Sequence, residues 1–240
     1  MRKAVRIFAL GMVVLLLAGG VMGFLAWRAA QHVPEFYAQA IEIPAEKQEH
    51  ASDELLAKAS SLASQAQHAG RWEAAFTAEQ INGWLAVDLP KNHPKLLPKE
   101  AQHPRVAITA DELLLGWRLE HPQYTGVVSL SVTPSIAAPN VLLLRVRKAR
   151  AGSIPLPLNS ILEAVAKGAN DAKLPVRWLQ VDEDPVAEIT LPEDTESKQI
   201  QRIDEVRLEE GKIFLGGTTE PRGEGKVPDN VETPTPPDAK

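Results

Sequence analysis

The stretch VAITADELLLGWRLEHPQYTGVVSLSVTPSIAAPNVLLLRV, residues 106–146, decides the fold class. Val106 and Ile108 alternate, as do Leu113, Leu115, Trp117 and Leu119. The same period returns in Val128, Leu130 and Val132, and again in Leu142, Leu144 and Val146. A period of two puts the apolar side chains of each strand on one face, the pattern of antiparallel strands half covered by another layer.

Downstream, GSIPLPLNSILEAV at 152–165 begins extended, with Ile154, Leu156 and Leu158 alternating with Pro155 and Pro157. Ser160 and Glu163 have the spacing of a capping box, so a helix is expected over 160–171. The spacing PxP is not the PxxP that aromatic grooves read, and the prolines are expected to stiffen a strand-to-helix crossover. Further short strands are predicted at 176–181, 186–191, 203–209 and 212–217. VAITADELLLG at 106–116 and VRLEEGKIFLG at 206–216 align residue for residue. Each reads as a hairpin, and hairpins converge on this pattern without duplication.

Upstream, RWEAAFTAEQINGWLAVDLP at 71–90 opens as a strand through Trp72, Ala74 and Phe76. Thr77 and Gln80 match a capping box, with Phe76 and Ile81 placed for a hydrophobic staple. Ile81, Trp84 and Leu85 then share one helical face, and Pro90 is expected to end the helix ahead of a loop over 90–104. Before this, Glu46–His68 reads as a helix rich in alanine, glutamine and glutamate, a spacer or a packed wall, stopped by Gly70.

The N-terminus carries the signal for location. Ile7–Trp27 is 21 residues without a charge, enough to cross a hydrocarbon core of about 30 Å as a helix. Arg2, Lys3 and Arg6 precede the run, which places the N-terminus on the cytoplasmic side. The run is longer than a signal-peptide core, although Ala18, Gly19 and Gly20 are small enough for cleavage. Gly19 and Gly23 form GxxxG, a spacing that lets two membrane helices approach and makes a homodimer a candidate.

The 240 residues carry a formal charge of −5, which becomes −8 without those three N-terminal cations. No basic run interleaved with aromatics supports nucleic-acid binding. Cysteine is absent, which removes disulfides, thiolate metal sites and cysteine nucleophiles. The last residues, 220–240, lack the apolar content for a core and read as a disordered tail.

The search for chemistry finds no GxSxG, no phosphate loop and no GxGxxG. No cofactor, catalytic residue or metal site is therefore assigned. His93, His103 and His121 each precede a proline, which predicts extended loop or strand-edge residues. Asp182, Glu183 and Asp184 form an acidic run that reads as a solvated turn, or, in an alternative class, as the acid–base group of an envelope hydrolase. Arg145, Arg147, Lys148 and Arg150 form a basic cluster, solvated or facing anionic headgroups. Trp84, Trp117 and Trp178 are candidates for a core or a ligand groove.

FTAEQINGWLA, GSIPLPLNSILEAV and IDEVRLEEGKIFLGG occur in the order seen in YpmS-like bacterial proteins, and over roughly 72–217 the chain resembles that family. The resemblance implies one N-terminal span, an extracytoplasmic α+β domain and no established enzyme activity. The loop at 90–104 and the tail beyond 220 are not features of it.

The expected layout is a cytoplasmic N-terminus (1–6), a transmembrane helix (7–27), a connector with a helix (28–70), an extracytoplasmic α+β domain (71–219) and a tail (220–240). In that domain a curved antiparallel sheet packs on two or three helices. The expected protein sits in the bacterial cytoplasmic membrane and is non-enzymatic, binding a lipid-like ligand or envelope polymer, or scaffolding envelope partners. Trp84, Leu115, Trp117, Leu130, Leu144 and Leu162 are the candidate lining residues, forming either an open groove or a closed core.

Overall fold

A computed structural model of the chain describes residues 25, 27–94, 96, 101–121, 124–158, 162, 175–182, 184–192 and 198–222. The expected membrane span (apart from Leu25 and Trp27), Glu183, the tail beyond 222 and, but for Leu162, the helix expected at 160–171 lie outside them. Among the described residues no helix is long and apolar enough to cross a membrane.

The protein is α+β. Its described helices are α1 (Glu35–Ile41), α2 (Ala45–Gln65), α3 (Ala78–Ala86) and α4 (Asp88–Asn92). Its described strands are β1 (Gly70–Thr77), β2 (Ala101–Ile108), β3 (Leu113–His121), β4 (Tyr124–Ala138), β5 (Val141–Ala151), β6 (Ile154–Pro155), β7 (Val176–Val181), β8 (Asp184–Thr190), β9 (Gln199–Glu209) and β10 (Lys212–Pro221).

Where one curved sheet was expected there are two. A three-stranded sheet runs β1-β10-β9, and a seven-stranded sheet runs β2-β3-β4-β5-β8-β7 with β6 paired to β5. The described pairings are antiparallel. The alternation that locates each strand is the same for either arrangement, so the partition was invisible to it. The two aligned hairpins fall in different sheets with the same register: Ile108 faces Leu113 and Val106 faces Leu115, as Leu208 faces Ile213 and Val206 faces Leu215.

Two buried asparagines close the outer edges of the sheets. Asn82 on α3 donates from Nδ2 to the Val106 carbonyl, and its Oδ1 accepts from the Val106 N–H, both at 2.8 Å. Its amide thus makes the pair of bonds that another strand would make with β2. Asn140, in the β4–β5 turn, does the same for β9: its Oδ1 accepts from the Ile203 N–H at 2.8 Å and its Nδ2 donates to the Gln201 carbonyl at 2.9 Å. Its backbone N–H also donates to the Ile203 carbonyl at 3.1 Å. Unpaired backbone groups at an edge invite wrong pairing, and a buried one costs free energy, so the amides serve specificity and stability together.

The expected capping box is present, with Thr77 Oγ1 accepting from the Gln80 N–H and Gln80 Oε1 from the Thr77 N–H. The buried face of α3 is not the expected Ile81, Trp84 and Leu85, which are half-buried, but Gln80, Asn82 and Gly83. The reason is close packing on α2: a Cβ at Gly83 would lie 2.6 Å from the Gln48 carbonyl oxygen and 2.7 Å from the Ser52 nitrogen. Helix α2 is accordingly a packed wall, with Ala51 and Ser52 buried. It ends at Gln65 rather than near Gly70, whose φ of +135° serves the start of β1.

Within the expected loop over 90–104, residues 90–92 are helical and 101–104 are strand. Pro90 does not end a helix there; it sits in the first turn of α4, where its missing N–H has no intrahelical acceptor to lose. β2 begins at Ala101 and continues through a bulge between Gln102 and Arg105. His103, in that bulge, has φ +49° instead of the expected extended conformation. Proline disfavours the right-handed helical region for the residue before it, and histidine is among the residues that tolerate the left-handed one.

Candidate functional site

The seven-stranded sheet has one continuous apolar face built by cross-strand pairing. One row is Val106, Leu115, Leu130 and Ala149, the next Ile108, Leu113, Val132 and Val146. A third is Trp117, Val128, Ala151 and Ile154, and across β5, β8 and β7 a fourth joins Leu144, Ala187 and Trp178. Leu130, Val132, Val146 and Ala149 are its buried centre. Leu115, Trp117, Leu144, Leu156, Leu158 and Trp178 pack around that centre and stay partly exposed.

Four of the six expected lining residues, Leu115, Trp117, Leu130 and Leu144, therefore meet on one surface. Leu162 is helical and half-buried. Trp84 is not part of the cluster; its ring lies 5.9 Å from that of His93 at the end of α4. Trp178 joins the cluster through β7, and Leu156 and Leu158 join it through the proline-laced stretch. That stretch returns along the sheet: Ile154–Pro155 pairs with Arg150–Ala151, and the Leu156 N–H donates to the Ala149 carbonyl at 2.8 Å. The alternation of leucine with proline was the signal for this, because it sends Leu156 and Leu158 the same way.

Within this face one buried polar atom stands out. The indole N–H of Trp178 is shielded from solvent and has no acceptor among the described residues. A buried donor without an acceptor is costly, and a ligand oxygen placed there would satisfy it.

The acidic run is occupied otherwise. Asp182 is at the turn between β7 and β8, with φ +57° and its side chain 79% exposed. Asp182 and Asp184 accept from Arg145 at 2.7 and 2.8 Å, and Asp184 also from Arg147 at 2.8 Å. The hydrogen bond that Arg145 donates to Asp182 leads the causes that raise the Arg145 pKa. Among the described residues no three histidines or carboxylates gather as a metal site. The basic cluster is thereby divided, since Lys148 and Arg150 are exposed and form no ion pair with a described residue.

The segment following the apolar N-terminal run is docked on this sheet. The Ser153 N–H donates to the Ala29 carbonyl at 2.9 Å, and Gln31 Nε2 donates to the Thr125 carbonyl at 3.1 Å. Gly152, at φ +58°, leaves no room for a side chain, because a Cβ there would lie 2.4 Å from the Ala29 oxygen. Gly116 likewise admits the rings of Phe36 and Tyr37 on the opposite face of β3.

Compared with protein-family models, curated proteins and solved structures, the chain matches none of them.

Proposed function

We propose that the protein is a membrane-anchored, non-enzymatic component of the bacterial envelope. Its domain stands on the extracytoplasmic side and holds the acyl portion of a lipid-like ligand against the Leu115–Trp117–Leu130–Leu144–Trp178 face. The observation that carries this is the apolar face itself, with a buried centre, a partly exposed aromatic border and an indole donor lacking an acceptor among the described residues. The uncharged run at 7–27 behind Arg2, Lys3 and Arg6 supports the anchor, and the ordered sequence motifs support kinship with YpmS-like proteins.

The hydrolase alternative is less favoured, because Asp182 and Asp184 are taken up by Arg145 and Arg147 on a turn. The test is photo-crosslinking of the full chain in vesicles that contain a phospholipid with a diazirine near its acyl terminus. Label is expected on the peptide bearing Trp178, where the acyl terminus would lie, and Leu130→Asp should remove it there. Labelling confined to residues 7–27 refutes the ligand reading while leaving the anchor; no labelling anywhere refutes the anchor as well.

A further inference from the structure

On the other side of the seven-stranded sheet a second cleft of about 340 Å³ lies between the end of α3, α4 and the β2 bulge. Leu85, Leu89, Pro90 and Pro104 give it apolar walls, and His93, His103 and Arg105 also line it. Arg105 is 6% exposed, and no carboxylate among the described residues pairs with it. Its Nε donates to the Ala40 carbonyl at 3.3 Å and its Nη1 to the Pro104 carbonyl at 2.7 Å. Nη2 makes no hydrogen bond to a described residue.

The Ala40 contact caps the end of α1, which accounts for one edge of the guanidinium and leaves its charge without an anion among the described residues. A buried cation is costly unless paired. Burial lowers the Arg105 pKa from its ordinary value, partly opposed by Tyr37, so this guanidinium is desolvated. Arg105 directly follows a bulge whose His103 is held at φ +49°, with the Tyr37 hydroxyl donating to the His103 carbonyl at 3.0 Å. Bulges re-aim side chains, and strained backbone of this kind gathers at ligand sites.

We propose that this cleft binds a small organic carboxylate. Arg105 Nη2 meets the carboxylate, His93 stands at the rim, and Leu85, Leu89 and Pro90 cover a short aliphatic body. The nearby anion Asp88 does not line the cleft and is engaged with Asn92 and, at 3.6 Å, with His93. A planar guanidinium suits a carboxylate in a way that a lysine ammonium does not. The site is independent of the acyl face, because Arg105 faces Gly116 across the β2–β3 pair while Val106 faces Leu115.

The test is calorimetric titration of the full chain in non-ionic detergent micelles with hexanoate, hexanol and inorganic phosphate, against protein-free micelles. Saturable one-to-one binding of hexanoate is expected, at least tenfold tighter than hexanol or phosphate. Arg105→Lys, melting as the parent does, should weaken it at least tenfold. No saturable hexanoate binding, equal binding of hexanol, tighter binding of phosphate, or full affinity in a folded Arg105→Lys protein each overturns the proposal. Should Arg105→Lys lose its fold, His93→Glu decides. Its side chain is 49% exposed, and the added carboxylate should weaken hexanoate at least tenfold; unchanged affinity overturns the assignment.

Discussion

Replacing Asn140 by alanine tests whether one amide joins the two sheets. The side chain holds the Ile203 N–H and the Gln201 carbonyl, and the residue is 7% exposed at φ +62°. Each buried partner left without a hydrogen bond costs about 1–3 kcal/mol. Asn140 borders a cleft of about 380 Å³ under α2, so water can reach the orphaned groups and the low end applies, about 2 kcal/mol for the two bonds. Alanine in the left-handed region adds about 1 kcal/mol, for a total near 3 kcal/mol. Asn140→Gly loses the same bonds without the backbone strain and should cost about 2 kcal/mol. The assay is urea unfolding of the full chain in detergent, read by tryptophan fluorescence and circular dichroism. If Asn140→Ala stays within about 0.5 kcal/mol of the parent, the edge-pairing argument is wrong. If Gly and Ala cost the same, the strain component is wrong.

Asn82→Asp keeps the acceptor for the Val106 N–H but loses the donor to the Val106 carbonyl and buries a charge; a loss of at least about 2 kcal/mol is expected in the same urea assay. Gly83→Ala should cost about 1–3 kcal/mol by forcing α3 from Gln48 and Ser52. Gly152→Ala should release residues 27–30, read as faster tryptic cleavage after Arg28 with the remaining domain still folded. Burial raises the Tyr37 pKa above its ordinary value of 10.0, partly opposed by Arg105 and Arg118. Above pH 10 the unfolded chain ionises this phenol before the folded one does, so stability is whole below pH 10 and falls as pH rises toward the folded pKa. Tyr37→Phe should flatten that fall in unfolding curves taken between pH 8 and 11.

Much of the strand map was legible because a two-residue period is a local property. Leu113, Leu115 and Trp117 share a face whichever strands become neighbours. The capping box at Thr77 and Gln80 was legible for the same reason, since its partners are three residues apart. The division into two sheets was not, because it rests on β1 pairing with β10 from the far end of the chain, Trp72 opposite Gly217. The face of α3 was misread because a helix that packs tightly through glycine buries its small and polar residues and leaves Trp84 and Leu85 at the border. The cleft around Arg105 was hidden for a third reason. His93 and His103 were visible as a repeated His-Pro pair, but only the bulge and the fold of α4 bring them to one cleft.

The docking of residues 27–41 bears directly on the proposed function. Had the apolar run been joined to the domain by a free linker, the sheet would take any orientation relative to a bilayer. Here Ala29 bonds Ser153, Gln31 bonds Thr125, and Phe36 and Tyr37 close over Gly116. The tether is fixed to the sheet at three places, the first two at Ala29 and Gln31, within a few residues of the point where the run ends. The row nearest the first anchor is Trp117, Val128, Ala151 and Ile154, since the Gly152 N–H donates to the Val127 carbonyl. On the proposed reading, the apolar face therefore begins beside the chain's exit from the bilayer, with Lys148 and Arg150 exposed on the same strand. An acyl chain passing from bilayer to sheet would reach Trp117 first, Leu130 next and Leu144 with Trp178 last. Photo-labels carried at successive depths along the acyl chain should mark those residues in that order, and a uniform pattern would contradict a fixed tether.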